Sequence, residues 1–175
     1  MNDYDLVDVY NENKEKTGKT KIRHKDEFEK GEYIVGVQAT IINSKNEILI
    51  SKRSENQKKF PLMWECNGGA ILAGETSLQG ILREVKEELG IVLNEDEAIF
   101  LKTVKKEKLF KDIYIFRKDV NIDDISFRDG EAVDAKLVTI DEYEKMYDNN
   151  EIVPNSDFRR EDFRKVLEIL KSLNK

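Results

Sequence analysis

A mixed α/β fold with a three-layer arrangement is what the sequence predicts, and three observations predict it. The stretch 33–42, YIVGVQATII, is rich in β-branched residues and reads as a central strand. A short amphipathic helical pattern over about 76–89 interrupts the run of strands. Further strand patterns follow it, and two more helical stretches close the chain, so strands flank a central helix. At 175 residues the chain is long enough for one domain and short for two. We read 33–175 as that domain, and 1–32 as an N-terminal β extension packed on it.

Hydrophobic residues make up 39% and charged residues 38%, the profile of a soluble globular protein. No apolar run approaches the ~18–20 residues that would span a bilayer. The first ten residues, MNDYDLVDVY, are acidic and lack the apolar core of a signal peptide. One cysteine, Cys66, allows no internal disulfide and fits a reducing, cytoplasmic setting. The net charge of −6 argues against a nucleic-acid or anionic-membrane surface.

Taken in order, Leu6 to Tyr10 and Thr17 to Ile22 are short strands about a turn at Asn11–Asn13. Arg23 to Lys30 is a charged surface stretch that carries His24, the single histidine. Tyr33 to Ile42 turns at Asn43–Asn46 into a hairpin partner, Glu47 to Lys52. The loop Ser54–Phe60 leads through Pro61 and Trp64 to Cys66-Asn67-Gly68-Gly69, where paired glycines allow close backbone approach. In the central helix Thr76 and Gln79 form a capping box, and Gly90 takes the C′ position. Leu78, Ile81, Leu82, Val85 and Leu89 form the apolar stripe. Ala98 to Val104 and Leu109 to Phe116 pair across a Lys105–Lys108 turn. Ile125–Phe127 reads as a short strand and Ala132 to Val138 as another. Thr139 with Glu142 caps a helix through about Tyr147, and Ser156 or Asp157 opens the last helix. Its apolar face is Phe163, Val166, Leu167, Leu170 and Leu173.

Chemistry concentrates on the central helix. Glu84, Glu87 and Glu88 are spaced i, i+3, i+4 and project from one face, roughly a third of a turn from the apolar stripe. Like charges at that spacing repel, so a helix that needed only solubility would intersperse lysines. A solvated acidic face is the ordinary reading of three glutamates alone. Hard oxygen donors clustered this way also suit Mg²⁺ or Mn²⁺.

The wider pattern decides between them. Gly69, Glu75, Arg83-Glu84-Val85, Glu87-Glu88, Gly90 and Ile91 fill the nine defined positions of G-x5-E-x7-R-E-U-x-E-E-x-G-U within 23 residues. This is the Nudix box, and the chain resembles a Nudix hydrolase. The resemblance implies an α/β/α sandwich around a mixed sheet and cleavage of a diphosphate bond in a nucleoside diphosphate linked to another moiety. It implies Mg²⁺, with Mn²⁺ as the substitute, held by Glu84, Glu87, Glu88 and the Gly69 carbonyl. Glu84 or Glu88 would serve as general base, Arg83 would orient Glu84 through a bidentate pair, and Glu75 would brace the loop. An acid outside the box assists many such enzymes, and Glu131 matches that place. Substrate phosphates need donors, for which Arg53 is the first candidate with Lys52, Lys58 and Lys59 behind it. The partner is then a small nucleotide derivative, and homodimers are common on this fold.

Two other functions share this fold. The N-terminal extension, Pro61-Leu62-Met63-Trp64 and Cys66 resemble isopentenyl-diphosphate isomerases, but that family's histidine-rich metal site has no counterpart here. A catalytically silent nucleotide sensor would show substituted box glutamates, and none is substituted.

Overall fold

The computed structural model of the chain describes residues 5–127, 130–154 and 156–173. A two-stranded hairpin, β1 (Leu6–Tyr10) and β2 (Lys16–Ile22), precedes the main sheet. That sheet contains β3 (Ile34–Ile42), β4 (Ile48–Arg53), β5 (Trp64–Glu65), β6 (Ala98–Lys105), β7 (Leu109–Arg117) and β8 (Ala132–Val138). Three helices accompany it: α1 (Ser77–Leu89), α2 (Ile140–Asp148) and α3 (Arg160–Leu173).

The sheet is mixed. β3 runs parallel to β7 from Ile34↔Leu109 to Ile42↔Arg117, and β6 lies antiparallel on the outer side of β7. β4 meets β3 only where the hairpin closes, at Ile42↔Ile48. From there it separates and pairs antiparallel along its length with β8, and at its far end with β5. The separation opens a cleft between the β3–β7–β6 and β5–β4–β8 groups.

Alternation along β3 assigns its two faces. Val35, Val37, Ala39 and Ile41 join Ile81, Val85 and Leu89 of α1 in one buried cluster. Ile42 and Ile115 join Tyr143, Met146, Phe158, Phe163 and Val166 in a second cluster beneath α2 and α3. The sheet is therefore sandwiched between α1 and the α2–α3 pair, the three-layer arrangement expected from the sequence.

Two expected elements differ. Ile125–Phe127 forms no strand; the Ser126 N–H instead donates to the Leu89 carbonyl at 3.0 Å and closes the end of α1. α3 starts at Arg160, later than expected. The Ser156 hydroxyl is spent on the Tyr143 hydroxyl at 2.5 Å, and Asp157 on Lys106 and Lys111 at 2.8 and 3.0 Å. Asp162 caps the helix instead, accepting from the Arg159 N–H at 3.1 Å. The side chain of Leu173 lies outside the described residues.

The N-terminal hairpin docks onto the domain by backbone bonds. Tyr10 and Tyr33 exchange two hydrogen bonds of 2.8 Å. Ala73 N–H donates to the Leu6 carbonyl at 2.8 Å, and Gly74 N–H to Asp8 Oδ2 at 2.9 Å. Lys14, in the left-handed region at φ 63°, reaches buried Asp112 on β7 at 2.5 Å.

Candidate active site

α1 is defined locally at both ends. Thr76 and Gln79 satisfy each other's backbone N–H, and Gly90 closes the helix at φ 71°. Ile81, Val85 and Leu89 are buried against β3, which fixes the rotation of the helix and so the direction of its glutamates.

The three glutamates do not share one environment. Glu88 is buried at 8% exposure, and its Oε2 accepts from Asn67 Nδ2 at 2.8 Å. Burial, followed by the charge of Glu84, pushes its carboxyl well above the usual range. The Glu84 side chain is 15% exposed and packs against the Cα of Gly69. Burial pushes its carboxyl up to about 7, while Arg83 and Arg23 pull in the other direction. Glu87 is at the rim, its side chain 55% exposed, with Oε2 3.0 Å from Arg83 Nη1. The expected row of three thus becomes one buried carboxylate, one partly buried and one exposed.

Arg83 makes its bidentate pair with Glu75, not Glu84: Nε to Oε1 is 2.8 Å and Nη2 to Oε2 is 3.1 Å. Nη2 also donates to the Ala70 carbonyl at 3.0 Å, and Glu84 receives one contact of 3.1 Å from Nη1. Glu75 in turn accepts from the Leu72 N–H at 2.8 Å. The arginine therefore straps the loop 70–75 to the helix, with Glu84 beside the strap. The reason is reach: Glu75 offers both oxygens to the guanidinium fork across the loop.

Residues 67–71 run along β3 as a ladder. Ala39 N–H donates to Asn67 O and Val37 N–H to Gly69 O, both at 2.8 Å, and Ile71 N–H donates to Val35 O at 3.1 Å. The Gly69 carbonyl thus points into β3, and alternation turns the Gly68 carbonyl the other way. A Cβ at Gly68 would collide with the Val37 carbonyl oxygen, so this close approach requires glycine.

The cleft is walled on its other side by the loop after β4 and the start of β8. Glu131 lies there, tied by its carbonyl to Ser54 N–H at 2.7 Å. It lines the same cleft as Glu84 and Glu88. Arg53 lines the cleft, its guanidinium held by Glu65 Oε1 at 2.5 Å, Gln57 Oε1 at 3.0 Å and the Lys59 carbonyl at 3.1 Å. Lys58 and Lys59 are exposed on the same loop and line the mouth. Lys52 lies apart from these. Its Nζ sits 5.7 Å from the Trp64 ring, which Lys136 also covers at 4.3 Å, and it does not line the cleft. Adjacent strand residues face opposite ways, so Arg53 and Lys52 could not both enter.

Several cleft residues carried no local signal in the sequence. Glu65 is partly buried beside Arg53, and loss of water around it pushes its carboxyl up. Asn67 holds Glu88. Lys111 is buried 3.0 Å from Asp157, and burial lowers its pKa. Each depends on contacts between distant segments. Cys66 is buried with its Sγ 4.0 Å from the Tyr143 hydroxyl, and burial pushes the thiol up to about 11. A thiol held protonated this way is not the reactive group an isomerase of this fold would use.

Among the described residues, no three acidic, histidine or cysteine side chains converge around one point. The donor set is nevertheless all oxygen, and two of its carboxylates, buried Glu88 and partly buried Glu84, lie in one cleft. Among the described residues no helix is long and apolar enough to cross a membrane.

Residues 32–156 match the NUDIX domain. The chain is 36% identical over 155 residues to an uncharacterized Nudix hydrolase of Listeria monocytogenes, covering 88% of this chain and 89% of the relative. It is 33% identical to Nudix hydrolase 3 of Arabidopsis thaliana over 138 residues, 76% of this chain and 16% of that protein. The fold matches the crystal structure of DR0079 from Deinococcus radiodurans with a TM-score of 0.69 at 23% identity, over 84% of this chain and 91% of the other. It also matches the NUDIX domain of Shewanella oneidensis NrtR in complex with ADP-ribose, with a TM-score of 0.59 at 17% identity over 79% and 88% of the two chains. With the box complete from the loop at Gly69 through α1 to Ile91, and residues 32–156 matched to the domain, the chain belongs to the Nudix family and is a hydrolase of pyrophosphate bonds.

Proposed function

We propose that the chain cleaves the diphosphate bond of a nucleoside diphosphate linked to another moiety, in the cytoplasm, using Mg²⁺ with Mn²⁺ as a substitute. The observation that carries this reading is the pairing of buried Glu88 with partly buried Glu84 in one cleft that Glu131 also lines. Two carboxylates drawn out of water repel unless a cation joins them, and a hard divalent ion fits their oxygen donors. Glu84 and Glu88 would hold the ion, with Glu87 completing the set by leaving Arg83. The Gly69 carbonyl, the further ligand expected from the box, accepts from the Val37 N–H and the Ala70 carbonyl from Arg83, and the Gly68 carbonyl, turned away from β3, is the neighbouring backbone oxygen that would serve beside them. When bound, such an ion neutralises charge on the phosphoryl oxygens and acidifies water.

The remaining work falls to the chain itself. The Arg83–Glu75 strap holds the loop so that Glu84 and Glu88 keep their spacing. Glu84 or Glu88 would serve as the general base that takes a proton from the attacking water. Glu131 supplies a second carboxylate across the cleft to orient the attacking water. Lys59 faces the opening, where a substrate phosphate would approach, and Arg53 supports that loop from below.

The ligands of structural neighbours support the substrate class. The NrtR domain was crystallised with ADP-ribose, and another match is an Ap4A hydrolase from C. elegans. The test is phosphate and nucleotide release from ADP-ribose, dinucleoside polyphosphates, nucleoside triphosphates and isopentenyl diphosphate, with Mg²⁺, Mn²⁺ or EDTA. Cleavage of a nucleotide compound that stops in EDTA is the expected result. Rearrangement of isopentenyl diphosphate without phosphate release, or silence throughout with the protein folded and Mg²⁺ bound, would contradict the reading.

A further inference from the structure

The N-terminal hairpin lies outside the matched domain, which begins at residue 32, yet the residues flanking it, Asp5, Arg23 and His24, form part of the cleft wall. We propose that Arg23, at the end of this hairpin, is a substrate-binding residue whose guanidinium grips phosphoryl oxygens of the diphosphate. The inference rests on the hydrolase reading above and assigns one of its missing phosphate donors.

Position is the first support. β2 ends at Ile22, which pairs with Leu6, and Arg23 N–H donates to the Asp5 carbonyl at 2.9 Å. The Leu6 carbonyl accepts from Ala73 N–H at 2.8 Å, and Asp8 Oδ2 from Gly74 N–H at 2.9 Å. Two short hydrogen-bonded steps therefore connect the Arg23 backbone to the loop that enters α1. The hairpin is pinned to the box itself, so Arg23 is held at a set distance from Glu84.

Charge is the second support. Arg23 is half-buried in the same cleft as Glu84, Glu88 and Lys59. Arg53 and Arg83 are each tied up by carboxylates, whereas the Arg23 guanidinium makes no hydrogen bond or close ion pair among the described residues. Lys58 and Lys59 from the loop after β4 line the same part of the cleft, with Asp5 beside Arg23 at its edge. The hairpin and that loop thus bring three cations around one mouth, opposite the acidic wall of α1. A diphosphate needs this division: carboxylates to hold its counter-ion, and cations for the phosphoryl oxygens left over. Arginine suits the role, because it stays charged and its planar fork matches a phosphate edge.

The ordinary alternative is that Arg23 merely offsets the charge of Glu84, and the test separates the two. Binding of imidodiphosphate, a hydrolysis-resistant diphosphate with no organic group, is measured by calorimetry with Mg²⁺ for wild type, Arg23→Gln, Arg23→Lys and Lys30→Gln. Steady-state constants for the best panel substrate are measured alongside, and melting curves check folding. We expect about tenfold weaker imidodiphosphate binding or more in Arg23→Gln, the loss that one charge-assisted contact brings. The same variant should raise KM while leaving kcat within about twofold, Arg23→Lys should recover part of the affinity, and Lys30→Gln should match wild type. Should Arg23→Gln melt early, Arg23→Lys carries the comparison, since it keeps the charge and loses the fork. Arg23 variants that bind imidodiphosphate and cleave substrate like wild type would overturn the assignment and leave the hydrolase standing. A fall in kcat with unchanged KM and binding would also overturn it, in favour of a role through Glu84. Wild type that neither binds imidodiphosphate nor cleaves any panel compound would overturn both readings.

Discussion

The two walls of the cleft are built by opposite means. The α1 wall is specified within 23 residues: a capping box, a C′ glycine, an apolar stripe, and an arginine that straps its own loop through Glu75. The facing wall is gathered from the hairpin, the loop after β4, the start of β8 and the floor at Lys111. One wall is a local motif, and the other is a product of tertiary packing. The chemistry proposed for diphosphate and ion therefore sits on the segment whose contacts are local in the chain. Recognition of everything else is left to segments that can vary independently.

The sharpest contrast lies between the adjacent glycines. A Cβ at Gly69 would collide with the carboxylate of Glu84, a flexible side-chain end, whereas one at Gly68 would collide with the Val37 carbonyl and sit 2.9 Å from Gln38 Cα. Gly69→Ala should therefore fold and lose at least about a hundredfold in turnover, because Glu84 is displaced, by the rate loss expected for one misplaced group. Gly68→Ala should cost about 3 kcal/mol of stability, because backbone cannot move aside. Thermal melts with parallel assays check both. Equal behaviour of the two variants would remove the distinction between scaffold and chemistry within the α1 wall.

A second prediction concerns pH. Glu84 has a folded pKa of about 7 against an ordinary 4.5, and Glu88 is raised in the same direction. The folded protein binds these protons more tightly than the unfolded chain, so stability is full below about 4.5 and is lost as pH rises through 7. Without divalent cation, unfolding free energy should fall over that window, by on the order of 3 kcal/mol for the Glu84 shift. Mg²⁺ should flatten the slope, and Glu84→Gln should remove much of it. A metal-free protein whose stability rises from pH 5 to 7 would contradict the environment described for α1.

The smallest effects test the facing wall. Arg53→Ala leaves Glu65 partly buried without its partner and should cost about 2 kcal/mol. Lys52→Ala, on the outer face over Trp64, should cost under about 0.5 kcal/mol and leave turnover unchanged. Chemical denaturation of the two variants side by side is the check. A loss of activity in Lys52→Ala would place the cleft on the wrong face of β4.

This division also explains what was legible in the sequence. The strand and helix order, both capping boxes and the complete box could be read because each depends on neighbours in the chain. Arg83 was expected to pair with adjacent Glu84, yet it reaches back to Glu75, because the loop folds over the helix. Ser156 and Asp157 looked like helix starts but are bonded to Tyr143 and two lysines. Asn67 and Glu65 could not be identified, since their partners, Glu88 and Arg53, are brought to them only by the fold.

The central claim is that Glu88, with Glu84, turns a helix face into a cation-dependent hydrolytic wall. Its most direct test is turnover of the best panel substrate by wild type and Glu88→Gln across a Mg²⁺ titration, with folding checked by melting. Gln keeps the shape and the Asn67 contact while removing the charge, so the variant should melt at or above the metal-free wild-type temperature. Its turnover should fall by about a thousandfold or more, the scale of several kcal/mol of lost charge stabilisation. Near-normal, Mg²⁺-dependent turnover in a folded Glu88→Gln variant would contradict the account.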